Sequence, residues 1–173
     1  MSRRPGSPYI PLDDIRFNEY HEYMARLAEE IKMTKPFSLL EEEATLSIVR
    51  TADVLLQRTV ELLKPFDVSA AQYNVLRILR GAKEDLACGQ IAGRMVSRDP
   101  DITRLLDRME GRGLIGRARD GEDRRVVKTR ITRKGLRLLE EIDPLISAHH
   151  QRQFAGFGDK KLKQLVEWLE QIR

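Results

Sequence analysis

The apolar repeat of this chain changes at Gly113, from helical spacing before it to alternation after it, and returns to helical spacing beyond Thr132. Ile102, Leu105, Leu106 and Met109 recur every three to four residues, as on one face of a helix. Residues 114–119 and 125–131 read instead as two strands, with Val127, Thr129 and Ile131 on one face, joined by the polar turn Asp120-Gly121-Glu122-Asp123-Arg124. The Gly111-Arg112-Gly113 stop separates helix from hairpin. A short helix over 87–95 precedes a second one with Asp99 as N-cap and Pro100 at its first position, so the pair forms a helix-turn-helix followed at once by a wing. The expected fold class is mostly α with a small β-hairpin wing: a winged helix-turn-helix lobe plus a helical region built from both termini.

Around that lobe the pattern is helical. Residues 1–11, with Pro5, Pro8 and Pro11, read as an irregular arm, and Tyr20, Met24, Leu27 and Ile31 place an amphipathic helix over 14–33. Lys35-Pro36 breaks it. A long helix over 38–64 has Ser38 as its expected N-cap and Glu41, Glu42 and Glu43 in its first turns. Its apolar residues fill two adjoining stripes, wide enough for an internal core and a subunit contact together. Pro65 stops it. Ser69 begins the next helix, which ends at a Gly81 C-cap. Thr132 caps a helix over 133–147, which Pro144 is expected to kink or split, and a final helix follows Gly158. The expected division is 1–37 arm and amphipathic helix, 38–66 dimerisation and core helix, 67–133 DNA-binding lobe, and 134–173 dimerisation helices.

Charge separates the function classes. The 173 residues carry 31 Lys and Arg against 27 Asp and Glu, a net +4 too weak to name a partner by itself. Its distribution says more: residues 98–134 hold 12 basic and 7 acidic side chains, a local +5, so the rest of the chain is near −1. Ten of those 12 are arginine, the side chain suited to forked contacts with phosphates and guanine edges. The helix before Gly111 presents Asp101, Thr103, Arg104, Asp107 and Arg108 opposite its apolar face, donors and acceptors of the kind that read base edges. The alternative for that face is a solvated surface with pairs such as Arg104–Asp107. In the turn, Asp123 can pair with Arg125 and fix a tip from which an arginine projects toward a minor groove.

Thr103-Arg104-Leu105-Leu106-Asp107-Arg108-Met109-Glu110, then Gly113-Leu114-Ile115, Asp123-Arg124-Arg125, Ile131-Thr132 and Gly135 together resemble the MarR (multiple antibiotic resistance regulator) family. The likeness is densest over 98–135. It implies a winged helix-turn-helix regulator, dimeric through its terminal helices, on a pseudo-palindromic operator. It further implies that Asp101, Thr103, Arg104 and Arg108 face the major groove, while Arg124 or Arg125 enters the minor groove with Asp123 as buttress. A ligand-responsive repressor without a cofactor, released by a small aromatic or phenolic effector, is the expected function. The alternative is a winged-helix module that docks on protein without sequence-specific DNA binding. The first 37 residues are longer than the family usually has.

Other chemistry finds little support. The one cysteine, Cys88, allows no intramolecular disulfide and suits a reducing compartment, and a packed structural thiol is expected there over a peroxide sensor. His21, His149 and His150 lack metal-site spacing. Tyr73 and Trp168 are expected in the core. No nucleophile motif, P-loop or zinc-protease motif occurs, so no enzyme is expected. No run of 18 apolar residues and no apolar leader core occur, which leads to an expected cytoplasmic location.

Overall fold

The computed structural model describes residues 26–35, 37–97, 99–121, 123 and 125–173. Two compact units, residues 1–55 and residues 56–173, divide within one long helix. Most of the helix expected over 14–33 and the arm before it lie outside the described residues.

In the first unit, helix α1 (Arg26–Glu30) buries Leu27 and Ala28 with Phe37. Helix α2 (Leu40–Leu63) follows, its opening carboxylates of Glu41, Glu42 and Glu43 placed where unpaired amides favour negative charge. Ser38 is not its cap. A cap must immediately precede the first helical residue to reach the N2 or N3 amide, and Ser38 stands one place too early. Its hydroxyl donates instead to Glu42 Oε2 at 3.2 Å.

In the second unit, α2 ends on fully buried Leu63, and a 3-10 turn (Lys64–Phe66) containing Pro65 hands the chain to Asp67 in the left-handed region at φ 52°. Helix α3 (Ala70–Gly81) starts from a reciprocal cap: Ser69 Oγ accepts from the Gln72 amide at 3.1 Å and Gln72 Oε1 accepts from the Ser69 amide at 3.0 Å. Val75, Leu76 and Leu79 face the core. Gly81 is the last helical residue and Ala82 the cap, one place beyond the expected stop.

Strand β1 (Leu86–Ala87) was not expected, since two residues carry no readable period. It leads into a short helix α4 (Cys88–Ala92) and then helix α5 (Ile102–Gly111). Gly113, at φ +69°, turns the chain out of α5 in a backbone conformation that a Cβ disfavours. Strands β2 (Ile115–Arg119) and β3 (Val127–Ile131) form the hairpin, with Ile115 opposite Ile131 and Arg119 opposite Val127. Leu86 pairs with Thr129, so the three antiparallel strands run in the order β1-β3-β2. The expected apolar face of β3 is graded. Thr129 is buried, Ile131 half-buried and Val127 exposed, because the hairpin runs past the edge of the core.

Helix α6 (Arg133–Gln153) continues through Pro144 and beyond its expected end. Thr132 caps it, its hydroxyl accepting from the Gly135 amide at 3.1 Å and donating toward Gly113 O at 2.7 Å. Gly135 lies so close to the wing that a Cβ there would stand 2.4 Å from the Leu114 carbonyl oxygen. Leu139, Ile142 and Ile146 of α6 close the core of the lobe with Leu76, Ile91, Leu105, Leu106, Met109 and Leu114. Helix α7 (Asp159–Ile172) starts from Gly158. Trp168, expected in the core, is 48% exposed on it, and Val166 and Ile172 are exposed as well. Among the described residues no helix is long and apolar enough to cross a membrane.

Candidate nucleic-acid interface

The interface begins with how α5 starts. Asp99 was expected to cap it, but its Oδ1 accepts from the Asp101 amide at 2.9 Å, a turn closed before the helix. Asp101 is the cap. Its backbone is not helical (φ −128°, ψ 53°), its Oδ1 accepts from the Arg104 amide at 3.3 Å, and its Oδ2 lies 3.3 Å from Arg104 Nε. The same carboxylate thus satisfies an orphan helix amide and steadies the first arginine of the helix.

Leu105, Leu106 and Met109 anchor α5 in the core, with Ile102 half-buried beside them. This fixes Thr103, Arg104, Asp107 and Arg108 on the exposed side. Arg104 keeps 82% of its side chain exposed despite its ion pair. The expected Arg104–Asp107 pair does not form. Arg117 of β2 takes Asp107 instead, with its Nη2 at 2.6 Å from Asp107 Oδ1, and its Nε donates to Glu110 Oε2 at 2.8 Å. The hydrogen bond donated to Glu110 leads the causes that raise this guanidinium's pKa further, against a smaller cost of burial and with Asp107 adding to it.

The basic count of 98–134 therefore divides by task. Arg112 donates to the Asp67 carbonyl, Lys134 Nζ donates to Arg112 O at 2.8 Å, and Lys128 pairs with Asp120 at 2.6 Å. With Arg117 these cations hold the lobe together. Among the described residues no ion pair engages Arg108, Arg119, Arg125, Arg130 or Arg133, and all five are exposed. At the hairpin tip Asp123 Oδ1 accepts from the Arg125 backbone amide at 2.9 Å, where the sequence pointed to a side-chain pair. The carboxylate is spent on the turn and the guanidinium is left outside it. Arg98, Glu122 and Arg124 lie outside the described residues.

A second cluster, partly exposed between α3 and α6, had no sequence signal. Tyr73 of α3 donates its hydroxyl to Asp143 Oδ1 of α6 at 2.8 Å, Arg80 donates to the other oxygen, and the Arg77 guanidinium stands 5.9 Å from the Tyr73 ring centroid. Burial, then the hydrogen bond to Asp143, pushes the Tyr73 hydroxyl up to about 12. Burial alone would raise Asp143, but hydrogen bonds from Arg80 and Tyr73 outweigh it and hold the carboxyl below its usual value. Spacing cannot reveal this brace, since its partners are 70 residues apart. Cys88 is half-buried at the start of α4 and packs against the core. Burial, then His150, Arg152 and Arg58, lowers the His149 imidazole. No group of three or more His, Cys, Asp or Glu side chains among the described residues could hold a metal ion.

Residues 68–127 match the profile of the MarR family. The chain is 30% identical over 116 residues to the HTH-type transcriptional repressor IacR of Pseudomonas putida, covering 67% of this chain and 69% of that one. A crystal structure of a MarR transcription factor from Planctomyces limnophilus is 40% identical with a TM-score of 0.60, over 78% of this chain and 98% of the other. CouR of Rhodococcus jostii RHA1, solved bound to p-coumaroyl-CoA, is 27% identical with a TM-score of 0.67, over 79% and 95%.

Proposed function

This chain belongs to the MarR family of winged helix-turn-helix DNA-binding transcriptional regulators, and we propose that it is a repressor that works as a homodimer and is released by a small aromatic or phenolic effector. The observation that carries the reading is the division of charge on the lobe. Arg112, Arg117 and Lys134 are used internally, while Arg104, Arg108, Arg119, Arg125 and Arg130 remain outward on α5 and the hairpin. In this reading Asp101, Thr103, Arg104 and Arg108 read the major groove. Asp123 shapes the wing tip, from which Arg124 or Arg125 enters the minor groove.

Residues 67–133 are the DNA-binding lobe. Residues 38–66 and 134–173 supply the dimer, supported by the exposed apolar side chains of α2 (Leu56, Val60) and α7 (Val166, Trp168, Ile172). Two recognition helices about 34 Å apart enter successive major grooves, and an effector that prefers another spacing lowers affinity by its differential binding to the two states. Such a protein works beside the chromosome, in the cytoplasm. The name of the relative IacR supports repression, and the p-coumaroyl-CoA bound to CouR supports the effector class.

The test is selection of bound fragments from the host genome. A pseudo-palindromic motif overlapping promoters is expected, and recovery of no motif at low salt overturns the reading.

A further inference from the structure

The turn between α4 and α5 carries Val96, which is 91% exposed. Among the described residues of 67–133, the other large apolar side chain left to solvent is Val127 on the wing, 44% exposed. A lone valine on a surface means little in itself. Its place and its tether give this one meaning. The Val96 backbone amide donates to Asn74 Oδ1 of α3 at 2.9 Å, while the preceding Met95 packs against the core. The turn is thus held to the body of the lobe with Met95 inward and Val96 outward.

In a helix-turn-helix the first helix crosses the DNA backbone and the start of the second meets the base edges. The turn that joins them is continuous with that reading surface. Arg104 and Arg108 bring charge to it, and Ile102 is half-buried in the lobe, so neither end of α5 offers a large exposed apolar side chain. The apolar group that B-DNA presents in its major groove is the C5 methyl of thymine.

We propose that Val96 lies against the C5 methyl of one thymine in each half-site, and so selects that base at a position the arginines of α5 do not read. The proposal rests on the DNA-binding reading of the lobe given above. A deoxyribose also accepts an apolar contact, but it is present at every base and carries no sequence information.

The test uses the full chain and the duplex recovered by genomic selection, with thymines replaced by uracil one position at a time in both half-sites. Uracil keeps the pairing edge and lacks only the methyl. At one position the wild-type Kd is expected to rise about two- to fourfold per half-site, in line with the transfer of one apolar carbon. Val96→Ser is expected to bind the thymine and uracil duplexes alike at that position, while keeping the wild-type response at any thymine read by Thr103. Val96→Ile is expected to keep the preference. The valine is almost wholly outside the lobe, so both variants are expected to keep the wild-type melting temperature. Absence of a uracil response at every thymine, or a response that Val96→Ser leaves unaltered, overturns the contact. Weaker binding of Val96→Ser to every duplex, with the wild-type uracil response retained, places the valine on the sugar backbone and overturns it too. In these cases tight binding of the thymine duplex by the wild type leaves the repressor reading standing. A wild type that binds no duplex at low salt overturns both.

Discussion

Arg117 on the first strand of the wing holds Asp107 on the recognition helix at 2.6 Å, and the same guanidinium takes Glu110 one turn further along. Helix and wing are therefore presented as one piece. Arg117→Met is expected to weaken operator binding through lost alignment. Since the arginine points inward, the salt dependence of binding should keep its slope. The ion pairs are partly solvated, so the stability loss is expected to be about 1 kcal/mol. Duplex titrations at two salt concentrations with urea unfolding check it, and a slope that drops by one phosphate contact would mean Arg117 touches DNA.

The wing tip gives the opposite signature. Replacing Arg124 and Arg125 together by Ala removes two positive charges from the turn segment of the hairpin. Binding is expected to weaken at every sequence alike, and the slope of log K against log salt to fall by roughly 2. Arg104→Ala is expected instead to alter base preference in a selection from random duplexes. An unchanged sequence logo would remove Arg104 from direct readout.

Gly135→Ala drives a methyl against a backbone carbonyl, which cannot swing aside as a flexible side chain would. A loss of about 1–3 kcal/mol is expected. Gly81→Ala, where nothing lies within 4 Å of the added Cβ, is expected to be neutral or slightly stabilising. Melting curves of the two proteins compare them directly. Equal melting temperatures would mean that the junction at residue 135 relaxes.

The Tyr73–Asp143 brace contributes at both ends of the pH–stability curve. Asp143 is depressed in the folded state, so its contribution is present above the unfolded carboxyl value, about 3.9, and is lost as pH falls through the folded one. Tyr73 is raised to about 12, so its contribution is present below about 10 and is lost as pH climbs through the folded value. Tyr73→Phe is expected to cost about 1 kcal/mol at neutral pH and to flatten the alkaline limb. Urea midpoints from acid to alkaline pH measure this, and an unaltered alkaline limb in the variant would count against it.

Val166→Asp with Trp168→Asp replaces two exposed apolar side chains of α7 by charges. A fall to monomer in sedimentation equilibrium is expected, with operator affinity lost and the helical signal kept. A variant that stays dimeric would move the subunit contact elsewhere.

The winged lobe was legible because its signals are local. Gly113 marks the change of period, Ser69 and Thr132 are caps with short reach, and Leu105, Leu106 and Met109 repeat at helical spacing. What stayed hidden depends on distance or on one-residue steps. Asp99 and Asp101 are both competent caps, and only the backbone of Asp101 decides between them. Arg117 reads as one more outward arginine until β2 turns it onto α5. Asp143 sits among the charges of an amphipathic helix and nothing near it in sequence marks its pairing with Tyr73. Strand β1 is defined by its partner alone.

Thr132 joins three things with one hydroxyl: the Gly135 amide in the first turn of α6, the Gly113 carbonyl that ends the recognition-helix stop, and the Leu114 carbonyl at the entry to the hairpin. There is no slack at this seam. One inserted residue would rotate everything downstream by about 100°, carrying the apolar flank of α6 away from Leu76 and Ile91. Lengthening the chain at the hairpin tip disturbs no such register. Variation in wing length among relatives is therefore expected to gather between Asp120 and Arg125, with the span from Ile131 to Gly135 kept at a constant count.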